Sequence, residues 1–264
     1  MRVLIKGAGD IATGIALRLW RGRFAVFMTE IEVPTTVRRT VSFSQAVFDG
    51  AATVDGVTAE LASSIETAEE IVASGRVPVL VDSEASCLEQ LRPDVVVDAI
   101  LAKRNLGTAI TDASVVIGVG PGFTAGADCH AVVETQRGHD LGRVIWQGGA
   151  LPNTGIPGEI DGHSLERVLR TPCAGMFRQT LEIGTLVCSG DAVGTVGDVP
   201  VRTEIAGILR GVLATGVLVR RGMKCGDVDQ RCEEAHCYTV SDKARAIGGG
   251  VLEVILALTP DILR

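Results

Sequence analysis

The sequence predicts an α/β protein with a parallel-sheet domain followed by a smaller, β-rich domain. In the first half, short apolar runs alternate with amphipathic stretches, as strands and helices do in a parallel sheet. The first run ends in the glycine turn GAGDIATG, which opens a helix. In the second half, short β segments separated by glycines replace this alternation. We therefore predict a Rossmann-like parallel-sheet domain over residues 1–165, a β-rich domain over 166–236 and a C-terminal segment over 237–264.

The predicted elements of the first half follow in order along the chain. A strand ends at Gly7, and the next helix carries its apolar residues on one stripe from Ile11 to Leu19. FAVFMTE is a second strand, and Asp55-Gly56 in TVDGVTAELA indicates a small hairpin. The later elements are a helix in TAEEIVASG, a strand in VPVLVD, a short helix in ASCLEQLRP, and strands in DVVVDAIL and ASVVIGVG.

The second half begins with the turn-rich stretch 142–162 and continues with an internal repeat. From Ala174 onward, a pattern of glycines and apolar residues recurs 32 positions later. Two such copies resemble the halves of a barrel-sandwich hybrid, the fold of biotinyl and lipoyl carriers. Those carriers present a lysine at the tip between the halves, but GDVPVRTEIAG has none there. We therefore predict a barrel-sandwich-hybrid-like fold without the carrier function.

The C-terminal segment predicts a helix that packs back on the first domain. Its glycine triplet, Gly248 to Gly250, has two interpretations. The triplet would open the helix and offer free backbone N–H groups to an anion, or it would allow the tail to pack tightly onto a sheet. The sequence leaves both open.

Composition excludes several classes of protein. The net charge of −7 gives no basic footprint for nucleic acid. No apolar run approaches the roughly 18 residues that span a bilayer, and the first residues do not form a signal peptide. Seven cysteines without a paired pattern favour free thiols in a reducing compartment. We expect a cytoplasmic homo-oligomer that binds neither nucleic acid nor membrane.

The first glycine turn is the main candidate ligand site. Gly7, Gly9 and Ala12 fit the pattern G-x-G-x-x-G/A between a strand and a helix, where backbone N–H groups approach a phosphate. Asp10 stands where a pyrophosphate normally lies, so it disfavours ordinary NAD binding. Glu30 ends the second strand, where an acid that binds ribose belongs, although a plain surface carboxylate is the alternative.

Further candidates follow other strands at the same predicted edge of the sheet. The turn GVGPGF follows the strand ASVVIG, and Lys103-Arg104 follows DVVVDAIL. Because the carboxyl ends of parallel strands face one side, these groups should meet there and bind a small phosphate-bearing ligand. The predicted ligand-binding residues are Lys6, Gly7, Gly9, Asp10, Thr13, Glu30, Lys103, Arg104, Gly118, Gly120, Gly122 and His130.

A metal site is not predicted. Asp128, His130, Glu134 and His139 are residue types that bind metals. On a strand, however, residues i and i+4 stand about 13 Å apart, so His130 and Glu134 would not share one ion. We expect His130 to form hydrogen bonds near the ligand.

A loose group of cysteines and histidines lies late in the chain. Cys225, Cys232, His236 and Cys237 match no familiar zinc spacing, so free structural thiols are the default interpretation. A soft-metal or reactive-thiol role for Cys237 is the alternative. No residue is assigned a catalytic role.

Several stretches together resemble one family, the accessory proteins of selenium-dependent molybdenum hydroxylase systems of the YqeB type. The resemblance covers nearly the whole chain and implies a role in the maturation of such hydroxylases. It also implies molybdenum cofactor, a pterin that carries a phosphate, as the ligand. The stretches are IKGAGDIATGIALRL, MTEIEVPTTVRRTVSF, DAILAKRNLGT, GVGPGFTAGADCHAVVETQRGHDLGRVI, NTGIPG and SDKARAIGGGVLE.

Three functional hypotheses follow. The first is an accessory protein that binds molybdenum cofactor or a related ligand, with a molybdenum hydroxylase as partner. The second is an NAD(P)-dependent oxidoreductase, for which His130 is the best acid or base. The third is a non-catalytic docking module for a hydroxylase, with the repeat domain as its surface. Whether the protein is an enzyme stays open.

Overall fold

The computed structural model describes residues 1–155, 162 and 164–259, which form two compact units. The stretch 142–162 and the motif NTGIPG therefore lie partly outside the described residues. The predicted domain boundaries stay predictions. Within the described residues, unit 1 consists of Met1–Glu32, Phe43–Thr154 and the part of Val240–Arg264 up to residue 259, and unit 2 of Val33–Ser42 and the described part of Gly155–Thr239.

Unit 1 is built on one large sheet. In the described part of the chain its strands are β1 (Arg2–Lys6), β2 (Ala25–Glu30), β3 (Ala51–Val54), β4 (Val57–Ala62), β5 (Val77–Val81), β6 (Val95–Asp98), β7 (Val115–Val119), β8 (Ala131–Val133) and β9 (Val144–Ile145). Their order is β3-β4-β5-β2-β1-β6-β7-β8-β9. The strands from β4 to β8 in this order run parallel. β3 is antiparallel to β4, and β9 is antiparallel to β8.

The predicted fold class, a Rossmann-like parallel sheet with a barrel-sandwich-hybrid-like domain, is wrong. The sheet of unit 1 is mixed, because hairpin connections add an antiparallel strand at each edge. The alternation of strand and helix also stops at β6, since residues 99–114 lead to β7 without a helix. That stretch is rich in polar residues and has no helical stripe, so a loop makes the crossover instead.

Six α-helices lie in the described residues. The longest, α6, packs against α1 within unit 1. The helices are α1 (Asp10–Arg21), α2 (Ala46–Asp49), α3 (Ile65–Ala73), α4 (Leu88–Leu91), α5 (Ala235–Tyr238) and α6 (Asp242–Leu258).

Close packing of small residues joins α1 and α6. A Cβ added at Gly14 would lie 2.6 Å from the Cβ of Ala244, and one at Gly248 would lie 3.0 Å from the Gly14 carbonyl oxygen. The interpretation that the glycine triplet opens this helix is wrong, because Ser241 caps α6 and the triplet lies in its middle. Tight packing is confirmed, since a Cβ at Gly250 would lie 2.9 Å from the side chain of Val133 in β8.

Unit 2 consists mainly of two antiparallel sheets. In its described residues the strands are β10 (Val168–Arg170), β11 (Gly175–Gln179), β12 (Leu186–Val187), β13 (Ala192–Val196), β14 (Val199–Arg202), β15 (Gly207–Val212), β16 (Leu218–Val219) and β17 (Lys224–Asp229). The orders are β10-β17-β15-β12 and β14-β13-β11-β16. The first repeat copy forms β11 to β13 and the second forms β15 to β17, each strand beginning 32 positions later.

The two repeat copies exchange strands. β16 of the second copy pairs with β11 of the first, and β12 of the first pairs with β15 of the second. Phe177 and Leu209 are fully buried in the core that the copies share. Each copy thus completes the sheet of the other.

A buried ionic cluster lies beside this core. The carboxylate of Asp229 accepts hydrogen bonds from Arg231 Nε at 2.9 Å and Nη2 at 2.6 Å, and Arg210 Nη1 lies 3.5 Å away. Burial alone would raise the pKa of Asp229. The hydrogen bonds and charge of Arg231, with the charge of Arg210, outweigh burial and hold this pKa at about 2.

Candidate functional site

The carboxyl ends of three neighbouring strands bring charged residues to one edge of the sheet. β1 lies between β2 and β6, so Lys6 stands opposite Thr29 and Asp98. The chain then turns at Gly7, which has a φ of +94°. A Cβ at Gly7 would lie 3.1 Å from the Ala99 carbonyl oxygen. Both the conformation and the close approach therefore require glycine.

A buried network surrounds the ammonium group of Lys6. Lys6 Nζ donates a hydrogen bond to Thr108 Oγ1 at 2.7 Å, and the Thr108 hydroxyl donates to Asp98 Oδ2 at 2.7 Å. Lys6 Nζ lies 3.9 Å from the same carboxylate oxygen. All three residues are at most 5% exposed. The network therefore holds the ammonium group in a fixed position at the carboxyl end of β1.

Glu30 and Thr13 hold the first glycine turn in place. The Glu30 carboxylate accepts the Ala8 N–H at 3.0 Å and the Ile31 N–H at 2.8 Å. Burial raises the pKa of Glu30, and these two bonds partly oppose the rise. The Thr13 hydroxyl donates to the Ala8 carbonyl at 3.2 Å and accepts the Phe43 N–H at 2.8 Å. Both side chains therefore contact the turn itself.

The helix α1 begins directly after this turn. Gly9 is its N-cap and makes no side-chain capping bond, and Asp10 is the first helical residue. The half-buried carboxylate of Asp10 thus lies in the first turn, where the positive end of the helix dipole favours an anion.

Lys243 of α6 belongs to the same group of charges. Burial lowers the pKa of Lys243. The carboxylates of Asp10 and Glu134 oppose this shift, and the charges of Arg137 and Lys103 add to it. We did not predict Lys243 from the sequence. The available signal was its position in the first turn of a helix, where a positive charge is unfavourable.

The second glycine turn is packed by its own chain. A Cβ at Gly118 would lie 2.5 Å from the Phe123 ring, and one at Gly122 would lie 2.6 Å from the backbone of Arg104. Gly120 has a φ of +81°, and a Cβ there would lie 2.8 Å from Thr135 Oγ1. These packing contacts account for glycine at all three positions without a ligand. The role of the three glycines in ligand binding stays a prediction.

The loop after β6 carries Lys103 and Arg104. Both side chains are exposed, and Leu101 and Lys103 each have a φ of +62°, in the left-handed region. Asn105 holds the loop, because its side chain donates to the Thr108 carbonyl at 2.7 Å and accepts the Thr108 N–H at 2.8 Å. This hold positions Thr108 beside Lys6.

His130 lies away from this edge. Its Nδ1 accepts the Val116 N–H at 2.9 Å, and Val116 is near the amino end of β7. The structure therefore does not bring His130 together with Lys6 and Gly7. The buried Glu134 carboxylate accepts three backbone N–H groups of its own region. In the described ranges, no group of three or more His, Cys, Asp or Glu residues is arranged to hold a metal ion.

Cys237 lies in unit 2 and is fully buried. Burial raises the pKa of its thiol, and the charges of Arg210 and Arg38 only partly oppose the rise. A buried, protonated thiol is a weak nucleophile and a weak metal ligand. The geometry thus favours the structural interpretation of Cys237.

A cavity of about 560 Å³ opens at the carboxyl ends of β4 and β5. The Asp82 carboxylate accepts the N–H groups of Ser86 at 3.0 Å and Cys87 at 2.8 Å. The cavity is lined by Leu61, Ala62, Ser63, Ser64, Ile65, Glu66, Leu80, Val81, Asp82, Cys87 and Gln90.

Comparison with known proteins links the chain to one relative. No protein-family model matches it. It is similar to the uncharacterized protein YqeB of Escherichia coli (strain K12), with 54% identity over 256 residues. This similarity supports a YqeB-type family. The match covers 97% of the chain and 47% of that relative, so the chain spans about half of its length.

Two similar solved structures are described as aspartoacylase or desuccinylase proteins, not as YqeB. One is an aspartoacylase family protein from Mesorhizobium loti (13% identity, 86% of this chain and 84% of that one, TM-score 0.29). Another is a succinylglutamate desuccinylase/aspartoacylase from Rhodobacter sphaeroides (15% identity, 87% and 85%, TM-score 0.28). TM-scores of 0.29 and 0.28 do not establish a shared fold or a shared activity. No helix in the described part of the chain has the length and apolar character to cross a membrane.

Proposed function

We propose that the chain binds a small phosphate-bearing molecule at the carboxyl edge of its sheet, around Lys6 and Gly7. The observation that carries this proposal is the buried Lys6–Thr108–Asp98 network, which fixes an ammonium group beside a glycine turn and a helix N-terminus. A positive group held without freedom to reorganise binds an anion at little further cost in entropy.

The surrounding charges favour a phosphate ester over a pyrophosphate. Lys243 adds positive charge near Asp10 of α1, Lys103 adds positive charge near Lys243, and the α1 N-terminus adds its dipole. Asp10 removes part of this positive potential. The site thus accommodates one phosphate group better than two joined ones.

We propose molybdenum cofactor as the ligand and an accessory role in the maturation of selenium-dependent molybdenum hydroxylases. This proposal is supported by the resemblance of the sequence to the accessory proteins of the YqeB type. Lys6 lies in IKGAGDIATGIALRL, Lys103 in DAILAKRNLGT and Lys243 in SDKARAIGGGVLE. Three of the six stretches that carry the resemblance therefore contribute a lysine to the proposed site. A hydroxylase partner, a homo-oligomeric state and a cytoplasmic location stay predictions.

The oxidoreductase alternative has less support from the geometry. Glu30 directs its carboxylate to the Ala8 and Ile31 N–H groups, which leaves it poorly placed for a ribose. His130 lies at the other end of the strands, so it is not placed to act as acid or base at this edge.

Phosphate binding is tested by isothermal titration of the protein with inorganic phosphate. We expect Lys243→Ala to bind phosphate about 10-fold more weakly, because a charged hydrogen-bonding partner is lost. Lys224→Ala removes the same charge from β17 of unit 2 and should leave binding unchanged. Equal weakening in both variants, or no binding by the unaltered protein, would overturn the proposed site.

The identity of the ligand is tested by purification. The protein should be made without oxygen in a host that produces molybdenum cofactor, and bound molecules and metals identified by mass spectrometry. We expect a bound pterin that carries a phosphate. Stoichiometric NAD(P) without a pterin would refute the proposal, and an empty protein that still binds a hydroxylase would favour the docking hypothesis.

A further inference from the structure

The cavity beside β4 and β5 is a second feature of the same edge. Its volume of about 560 Å³ falls in the range of small-molecule sites, roughly 300–1,000 Å³. It is bounded by the start of α3 and by the turn that follows Asp82. The phosphate site described above does not use it.

The walls of the cavity are partly apolar. Leu61, Ala62, Ile65 and Leu80 give it apolar surface, and Val81 is 46% exposed although it ends a central strand. Apolar walls with a few polar groups are the usual lining of a small-molecule site.

Glu66 gives the lining of the cavity an exposed carboxylate. Glu66 Oε1 accepts the Gln90 side-chain N–H at 2.9 Å, which orients the carboxylate. Hydrogen bonds from its own backbone N–H, from Ser64 and from Gln90 lower the pKa of Glu66, so it stays ionised. A carboxylate binds two neighbouring N–H donors well. The 2-amino-4-oxo edge of a pterin or a guanine presents such a pair.

The cavity neighbours the phosphate site. Cys87 lines the cavity. Burial and the Asp82 carboxylate raise the pKa of the Cys87 thiol to about 12, and the positive charge of Lys6 opposes this rise. The Asp82 N–H donates to the Glu30 carbonyl at 2.9 Å. β5 is two strands from β1, about 10 Å at the usual strand spacing. One ligand can therefore place a ring here and a phosphate beside Lys6.

We propose that this cavity binds a 2-amino-4-oxo heterocycle of the pterin or guanine type, with Glu66 as the residue that recognises the amino edge. The proposal rests on the proposed function only in assigning the ring to the same molecule as the phosphate.

The test uses rings without phosphate, so its result is independent of the lysine site. Fluorescence titration with pterin should show binding to the unaltered protein. Lumazine, which carries an oxygen in place of the 2-amino group, should bind at least 10-fold more weakly. Glu66→Gln should weaken pterin binding about 10- to 100-fold, as expected for lost charged hydrogen bonds. It should bring pterin and lumazine to similar affinities.

A matched control removes the same charge from the same helix. Glu70 is exposed on α3 outside the cavity lining, so Glu70→Gln should bind pterin as the unaltered protein does. Competition by guanosine distinguishes the two ring sources, because a guanine site releases pterin on adding guanosine and a pterin site retains it. Equal binding of pterin and lumazine, or equal loss in both variants, would overturn the inference. Phosphate binding that persists would then leave the proposed function standing.

Discussion

Asp229 shows how a single buried residue makes the stability of unit 2 depend on pH. Its folded pKa of about 2 lies below the ordinary value of 3.8, so its contribution is complete above about pH 5 and is lost as pH falls towards 2. We expect the free energy of unfolding to fall over this range, and Asp229→Asn to flatten that part of the profile. Urea unfolding between pH 2.5 and 5 measures this change.

The control for this prediction is Asp198→Asn, which alters an exposed aspartate of the same unit. It should keep the slope of the unaltered protein. A slope that is the same in all three proteins would show that Asp229 does not govern acid unfolding.

Individual residues of the candidate site were predictable in part. Lys6 and Glu30 end strands that the sequence indicates clearly, and Gly7 comes directly after one, so their place at one edge follows from strand direction. Lys243 and Thr108 were not predictable in this way. Each reaches the site through a long-range contact, from α6 or from the loop after β6, which no local periodicity reveals.

At the scale of elements, the contact between α1 and α6 depends on the absence of a side chain at Gly14. Gly14→Ala should lower the free energy of unfolding by about 1–3 kcal/mol despite the higher helix propensity of alanine, because the new methyl forces the helices apart. Chemical denaturation measures the effect.

Gly249 supplies a matched comparison within α6. An added Cβ there meets nothing within 4 Å, so Gly249→Ala should raise the free energy of unfolding by up to about 1 kcal/mol. Destabilisation by both variants to the same extent would mean that packing at Gly14 does not decide the outcome.

At the scale of the whole molecule, the seven cysteines should divide by reactivity. Cys188 and Cys232 are exposed. Burial is the largest cause that raises the thiol pKa of Cys129 to about 11 and of Cys225 to about 12. We expect iodoacetamide at pH 8 to modify the two exposed thiols first, because only the thiolate reacts. Mass spectrometry of peptides from the native protein measures the order, and early labelling of Cys225 would contradict it.

The fold as a whole was predictable only at the level of an α/β protein with a β-rich part. The parallel centre follows from the buried runs of β1, β6 and β7. The antiparallel edges do not, because β9 is two residues long and leaves no pattern in the sequence. The sequence predicted the hairpin at Asp55, but nothing in it indicated that β4 also pairs with β5 in the large sheet.

The exchange of strands between the two repeat copies bears on how such a chain arose. In a primitive chain with one copy, the strand that corresponds to β11 and β15 would lack its partner. Two such chains would have to assemble so that each supplies the partner strand of the other. Duplication and fusion of that ancestor would convert a symmetric dimer into one polypeptide. The two copies would then be free to diverge, and Ala192 and Lys224 do differ at matching positions.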